Sequence, residues 1–122
     1  MTAQKMAVIR ALEEAGRTHP TAETVYALAK RYLPSIALGT VYRNLSKMAE
    51  AGEIVRIAVP DAPDRFDKDI CEHMHILCIK CGRIYDIEEK DVRVEIREVP
   101  AGCELIRFDV MAKCICADCK AI

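Results

Sequence analysis

Two Cys-x-x-Cys pairs constrain this 122-residue chain more than any other feature: Cys78-Ile79-Lys80-Cys81 and Cys116-Ala117-Asp118-Cys119. Two intervening residues let both sulfurs of a pair point inward from a tight turn, and Gly82 directly follows the first pair, as such knuckles often require. Four thiolates suit a closed tetrahedral Zn²⁺ site with no open position, which is structural rather than catalytic. The pairs lie 34 residues apart, so one ion held by both staples distant segments together. Such binding is worth on the order of 10–16 kcal/mol in small peptides, more than a domain of this size gains from packing. The plain alternative is a pair of redox dithiols or buried thiols, and two matched pairs weigh against it. Cys71, Cys103 and Cys114 remain outside the pairs and read as structural or incidental thiols.

The length allows one ordinary domain or two very small ones. Two halves of about 60 residues would each be marginal alone, so a metal site or a dimer interface should support them. Apolar residues make up 52% of the chain, too many for a disordered one, and with no Trp and two Phe the core must be aliphatic. The first residues, Met1 to Glu13, read as an amphipathic helix with charges rather than a signal peptide, and no apolar run suggests a membrane span. A cytoplasmic location is expected, where seven Cys argue for metal or redox work rather than a disulfide framework. Residues 1–56 carry eight Lys/Arg against five Asp/Glu, and residues 57–122 carry ten against fourteen. A basic first half is compatible with nucleic acid but is a weak signal.

Periodicity then orders the chain. Val8, Ile9, Leu12 and Ala15 form a first helical stripe, with Thr2 as cap and Gly16 as stop. Thr21 caps a second helix bearing Val25, Leu28, Ala29 and Tyr32, closed by Pro34. A third helix is expected over 37–51, with Leu38, Val41, Leu45 and Met48 inward and Gly52 at its end. Residues 54–59 read as a strand, 60–63 as a turn and Arg65-Phe66-Asp67 as a short return strand. Three helices and a hairpin make a winged helix-turn-helix. Beyond it, 75–79 and 83–87 read as strands around the first Cys pair, 91–99 fits strand or helix, and 104–111 is strand-like. The fold class is therefore α+β, with a domain boundary near residue 70: a winged helix over 1–70 and a small α/β metal-binding domain over 71–122.

On the third helix Thr40, Arg43, Asn44 and Lys47 recur three or four residues apart and share one face, flanked by Tyr42. These residue types hydrogen-bond to phosphates and base edges, although a solvated polar face is the commoner use of such a stripe. The chain has three His; His73 and His75, spaced by two, put both imidazoles on one face of an extended segment. Asp67 precedes them, Asp86 follows, and His19 is remote in sequence. A mixed nitrogen and oxygen set of this kind suits Fe²⁺, Mn²⁺ or Zn²⁺, against the bland reading of surface histidines.

Three segments taken together, residues 19–26 (HPTAETVY), 39–45 (GTVYRNL) and 71–82 (CEHMHILCIKCG), resemble the ferric uptake regulator family in order and spacing over almost the whole chain. The resemblance implies a winged-helix DNA-binding domain, a linker, and an α/β dimerisation domain. It also implies a homodimeric, metal-dependent repressor, without enzymatic activity, that binds palindromic operator DNA. Carried over position by position, Cys78, Cys81, Cys116 and Cys119 would hold structural zinc. His19, Asp67, His73, His75 and Asp86 would hold regulatory Fe²⁺ or Mn²⁺, and Tyr42 and Arg43 would contact DNA. Asp67, where the iron-sensing branch usually carries Glu, points to the peroxide-responsive branch. There, iron-catalysed oxidation of a ligand histidine, His19 or His73, would lift repression. Met74 and Phe108 stand where ligands of an additional site are expected, and Cys114 replaces a usual Gly. Sensing of iron or manganese level without ligand oxidation would use the same residues. A metallohydrolase would need a general base, for which Glu72 is the adjacent candidate, and a zinc-stabilised interaction module would need no operator.

Overall fold

The computed structural model of the chain describes residues 1–70, 74–106 and 108–121. These fall into two compact units, Met1–Ile70 and Cys71–Ile122.

In the first unit, α1 (Ala3–Ala15) starts where the Thr2 hydroxyl accepts the Lys5 N–H at 3.1 Å, and ends at Gly16, whose φ of +60° favours glycine. Its buried residues are Ala7, Val8, Ala11 and Leu12. Ile9 and Ala15, expected on the inner stripe, are half-buried; the two small alanines let the neighbouring helices approach and take the innermost face. α2 (Ala22–Ala29) is capped by Thr21, whose Oγ1 accepts the Thr24 N–H. It stops a turn short of Tyr32, because Arg31 and Tyr32 donate back three residues to Leu28 and Ala29 and tighten the chain. Tyr32 therefore rotates off the inner face: it is 43% exposed, and its hydroxyl donates to Glu14 at 2.9 Å. α3 (Leu38–Glu50) buries Val41, Leu45 and Met48, while Leu38, expected inward, is half-buried at the first turn.

β1 (Val55–Ile57) and β2 (Arg65–Asp67) pair antiparallel, completing a winged helix. Asp61, in the turn between them, has φ of +56°. The core joins Val8, Val25, Val41, Leu45 and Phe66, aliphatic apart from that one ring. The chain before α2 runs along β2: Thr21 bridges Arg65, and the Phe66 N–H donates to the Pro20 carbonyl at 2.9 Å.

The second unit has a three-stranded sheet in the order β4-β3-β5. β3 (Met74–Cys78) pairs antiparallel with β4 (Ile84–Ile87) and parallel with β5 (Met111–Cys114). A one-turn helix, α4 (Ala117–Lys120), follows. The strand expected over 104–111 lies elsewhere: β5 begins where that segment ends, because its register on β3 is drawn to the Cys pair just beyond it. Residues 91–99, which fitted strand or helix, are neither past a single 3₁₀ turn at Glu89–Asp91. Among the described residues of this unit, the buried apolar set is small: Leu77, Cys78, Ile84 and Cys116. Val94, Ile96, Val99, Leu105, Ile106 and Phe108 are exposed.

Candidate metal centres and nucleic-acid interface

The first Cys pair sits on the turn between β3 and β4, and the second at the end of β5 and the start of α4. Their four sulfurs lie within 4.8 Å of one another. Cys78 Sγ is 3.8 Å from Cys119 Sγ, and Cys81 Sγ is 3.8 Å from Cys116 Sγ. A tetrahedron with metal–sulfur distances of about 2.3 Å has edges of about 3.8 Å, whereas a disulfide needs sulfurs about 2.05 Å apart. The spacing fits zinc and not two disulfides. Gly82 makes the knuckle possible with φ of +78°, and its N–H donates to the Cys78 carbonyl at 2.9 Å.

Electrostatics divide the four thiols. Backbone N–H groups of Cys81, Cys116 and Lys80 aim at the Cys78 sulfur and lower its pKa to about 5; the Cys116 N–H lies 3.4 Å from it. The Cys119 backbone N–H lowers Cys116 in turn. The nearby Cys116 sulfur, then partial burial, push the Cys119 thiol up to about 12. Two residues absent from the sequence reading join this network. Tyr85 lies within electrostatic reach of the Cys116 thiol, and the Arg83 Nη1 donates to the Tyr85 hydroxyl at 3.4 Å. No spacing rule would have found them, since the contact depends on β4 lying beside the second Cys pair.

Cys114 also acquires a place. It stands across from Cys78 in the parallel β3–β5 register, and its carbonyl accepts the Ile79 N–H at 3.0 Å. Burial, then the nearby Cys78, Cys116 and Cys81 sulfurs, raise its pKa. Cys103 is exposed. Cys71, Glu72 and His73 lie outside the described residues.

The remaining candidate ligands form one His–Asp pair in each unit. In the first, the Thr21–Arg65 bridge sets the antiparallel register that carries His19 opposite Asp67, and His19 Nε2 lies 3.4 Å from Asp67 Oδ2. Both side chains are buried. The Asp69 N–H donates to Asp67 Oδ1 at 2.9 Å, and the Arg65 Nη1 donates to the His19 carbonyl at 3.1 Å. His19 holds φ of +54°, a left-handed conformation that costs an L-residue about 1–2 kcal/mol; such strain collects at functional sites. In the second unit, His75 and Asp86 are direct cross-strand partners, with Nε2 to Oδ1 3.3 Å apart.

On α3, Tyr42, Arg43 and Lys47 are exposed and Thr40 and Asn44 half-buried, opposite the buried Val41, Leu45 and Met48. Arg43 Nη2 donates to Thr40 Oγ1 at 3.0 Å, and Asn44 Nδ2 donates to the Thr40 carbonyl at 2.9 Å. The helix begins at Ala37 without a side-chain cap, so N–H groups of its first turn remain available to an anion.

Comparison with known proteins agrees with this architecture. The chain is 34% identical over 88 residues to the peroxide-responsive repressor PerR of Staphylococcus aureus strain USA300, a match covering 72% of this chain and 59% of that protein's length. The peroxide stress regulator of Campylobacter jejuni superposes with a TM-score of 0.68 at 29% identity, covering 92% of this chain and 84% of that one. The iron-containing ferric uptake regulator of Francisella tularensis shares the fold, with a TM-score of 0.77 at 21% identity over 98% of this chain and 93% of that one. A family profile matches residues 1–121, and the chain belongs to the ferric uptake regulator family.

Proposed function

We propose that the chain is a metal-dependent transcriptional repressor that works in the cytoplasm and binds palindromic operator DNA as a homodimer. In this reading, peroxide is its signal. The winged helix over 1–70 presents Thr40, Tyr42, Arg43, Asn44 and Lys47 to DNA. The unit over 71–122 holds structural zinc on Cys78, Cys81, Cys116 and Cys119 and pairs with a second copy. The exposed Val94, Ile96, Val99, Ile106 and Phe108 support that pairing, since the unit buries few apolar residues of its own. No helix among the described residues is long and apolar enough to cross a membrane.

His19, Asp67, His73, His75 and Asp86 are the proposed ligands of regulatory Fe²⁺ or Mn²⁺. The observation that carries this is the pair of His–Asp contacts, each made by neighbouring chain segments and together supplying nitrogen and oxygen donors suited to those ions. Because the ligands belong to both units, the ion favours one arrangement of the two recognition helices. In a dimer these must sit about 34 Å apart to enter successive major grooves. Binding energy that differs between arrangements is what couples metal to DNA. Iron, when bound, would activate peroxide toward an adjacent imidazole. His19 or His73 would supply the two electrons and take one peroxide oxygen while the other leaves as water; the oxidised histidine would be a poorer ligand, and operator affinity would fall.

Peptide mass spectrometry after anaerobic iron loading and brief peroxide, with a manganese-loaded control, tests this. The expected result is one added oxygen on a peptide containing His19 or His73, in the iron sample alone, with loss of operator binding. Unmodified histidines with unchanged binding would leave a sensor of metal level, and oxidation confined to cysteines would move the chemistry to the thiols. A His19→Asn variant separates ligand from scaffold: Asn tolerates the left-handed backbone. The variant is expected to keep the wild-type thermal midpoint while metal no longer promotes operator binding.

A further inference from the structure

The zinc centre takes four sulfurs, yet a fifth is built beside it. Cys114 and Cys78 are in-register partners on adjacent parallel strands, so their side chains leave the sheet on the same face. Cys114 precedes Cys116 by two positions, and Cys116 is extended, with φ of −69° and ψ of 164°. That alternation brings both sulfurs to one side and turns Ile115 outward, where it is exposed. The Ile79 N–H to Cys114 carbonyl bond fastens this strand to the first knuckle.

The four sulfurs of the centre are not equally protected. Cys78 and Cys116 are buried and Cys119 is half-buried, whereas Cys81, at the tip of the knuckle, is exposed. Solvent-borne electrophiles and competing ligands reach Cys81 first. Cys114 is half-buried.

We propose that Cys114 is a reserve ligand of the zinc centre: when Cys81 is lost from the ion, the Cys114 sulfur takes its place and the metal stays. Cys114 releases its thiol proton to solvent as it enters, and Cys78, Cys116 and Cys119 keep their positions. A side chain on β5 can do this at little conformational cost, because the strand is already fastened to both knuckles. The inference rests on the four-cysteine zinc reading above and concerns a residue outside that set.

The test uses the full-length protein loaded with Co²⁺, whose visible and near-ultraviolet bands report how many thiolates surround it, alongside zinc content per chain. Wild type and Cys114→Ser are expected to show the four-sulfur spectrum with full metal content. Cys81→Ser is expected to keep both, and Cys81→Ser/Cys114→Ser to shift to a three-sulfur spectrum or lose the metal. A three-sulfur spectrum for Cys81→Ser alone overturns the proposal, as does a Cys81→Ser spectrum that the second substitution leaves unchanged. A wild type without the four-sulfur spectrum would instead sink the zinc assignment. Circular dichroism of the helices in each variant confirms that the first unit, Met1–Ile70, is folded when the metal is read.

Discussion

At the scale of single residues, the four cysteines of the proposed zinc centre differ in the protons they bring. Cys78 is held at about 5 by three backbone N–H groups and enters as thiolate at neutral pH, while Cys119, pushed up to about 12, must give up its proton to bind metal. Zinc uptake near pH 7 is therefore expected to release protons, Cys119's among them. Affinity should fall as pH falls, and more steeply below about pH 5, where Cys78 also takes up a proton. Calorimetry in buffers of different ionisation enthalpy reads the proton count, and uptake without proton release would contradict this division of the thiols.

At the scale of elements, α3 has an apolar face in the core and a polar face that the proposed function assigns to DNA. Leu45 is fully buried against α1, α2 and Phe66, whereas Arg43 is exposed and bonded only within its own helix in the described contacts. Leu45→Ala should cost about 2–5 kcal/mol of stability, read from urea unfolding, with operator affinity unchanged in the folded fraction. Arg43→Ala should leave the unfolding midpoint in place and weaken operator binding by about 1–3 kcal/mol, read by titration at fixed salt. Reversal of those two outcomes would mean that α3 presents the other face to DNA. The short antiparallel pairings repeat one device in both units: a histidine and an aspartate are set side chain to side chain by strand register, His19 with Asp67 and His75 with Asp86.

At the scale of the whole molecule, the two units depend on different forces. The first has a contiguous core from Ala7 to Phe66, drawn from three helices and the wing. The second buries few apolar residues among those described and leaves several exposed, so the sulfur cluster is its principal tie. Removing zinc with a chelator is expected to abolish hydrogen-exchange protection of β3, β4 and β5 while α1, α2 and α3 stay protected. Hydrogen-exchange mass spectrometry on the full chain reads both at once. Simultaneous loss in both units would show that they fold as one cooperative body, and retained protection in the second would deny zinc its structural role.

The sequence by itself determined what is local or periodic. The three helices of the winged helix, their caps at Thr2 and Thr21, and the polar and apolar faces of α3 follow from spacings of three and four residues. The Cys-x-x-Cys turns likewise announce their chemistry within four residues. Only the tertiary structure decided what depends on strand register. That β5 lies at Met111–Cys114, that Cys114 faces Cys78, and that His19 stands opposite Asp67 in a left-handed backbone all follow from pairings between segments dozens of residues apart. A one-residue slip would send each of those side chains to the other face. Residue spacing encodes neither partner nor register; the closing of the core around Phe66 and of the thiols around one another selects them.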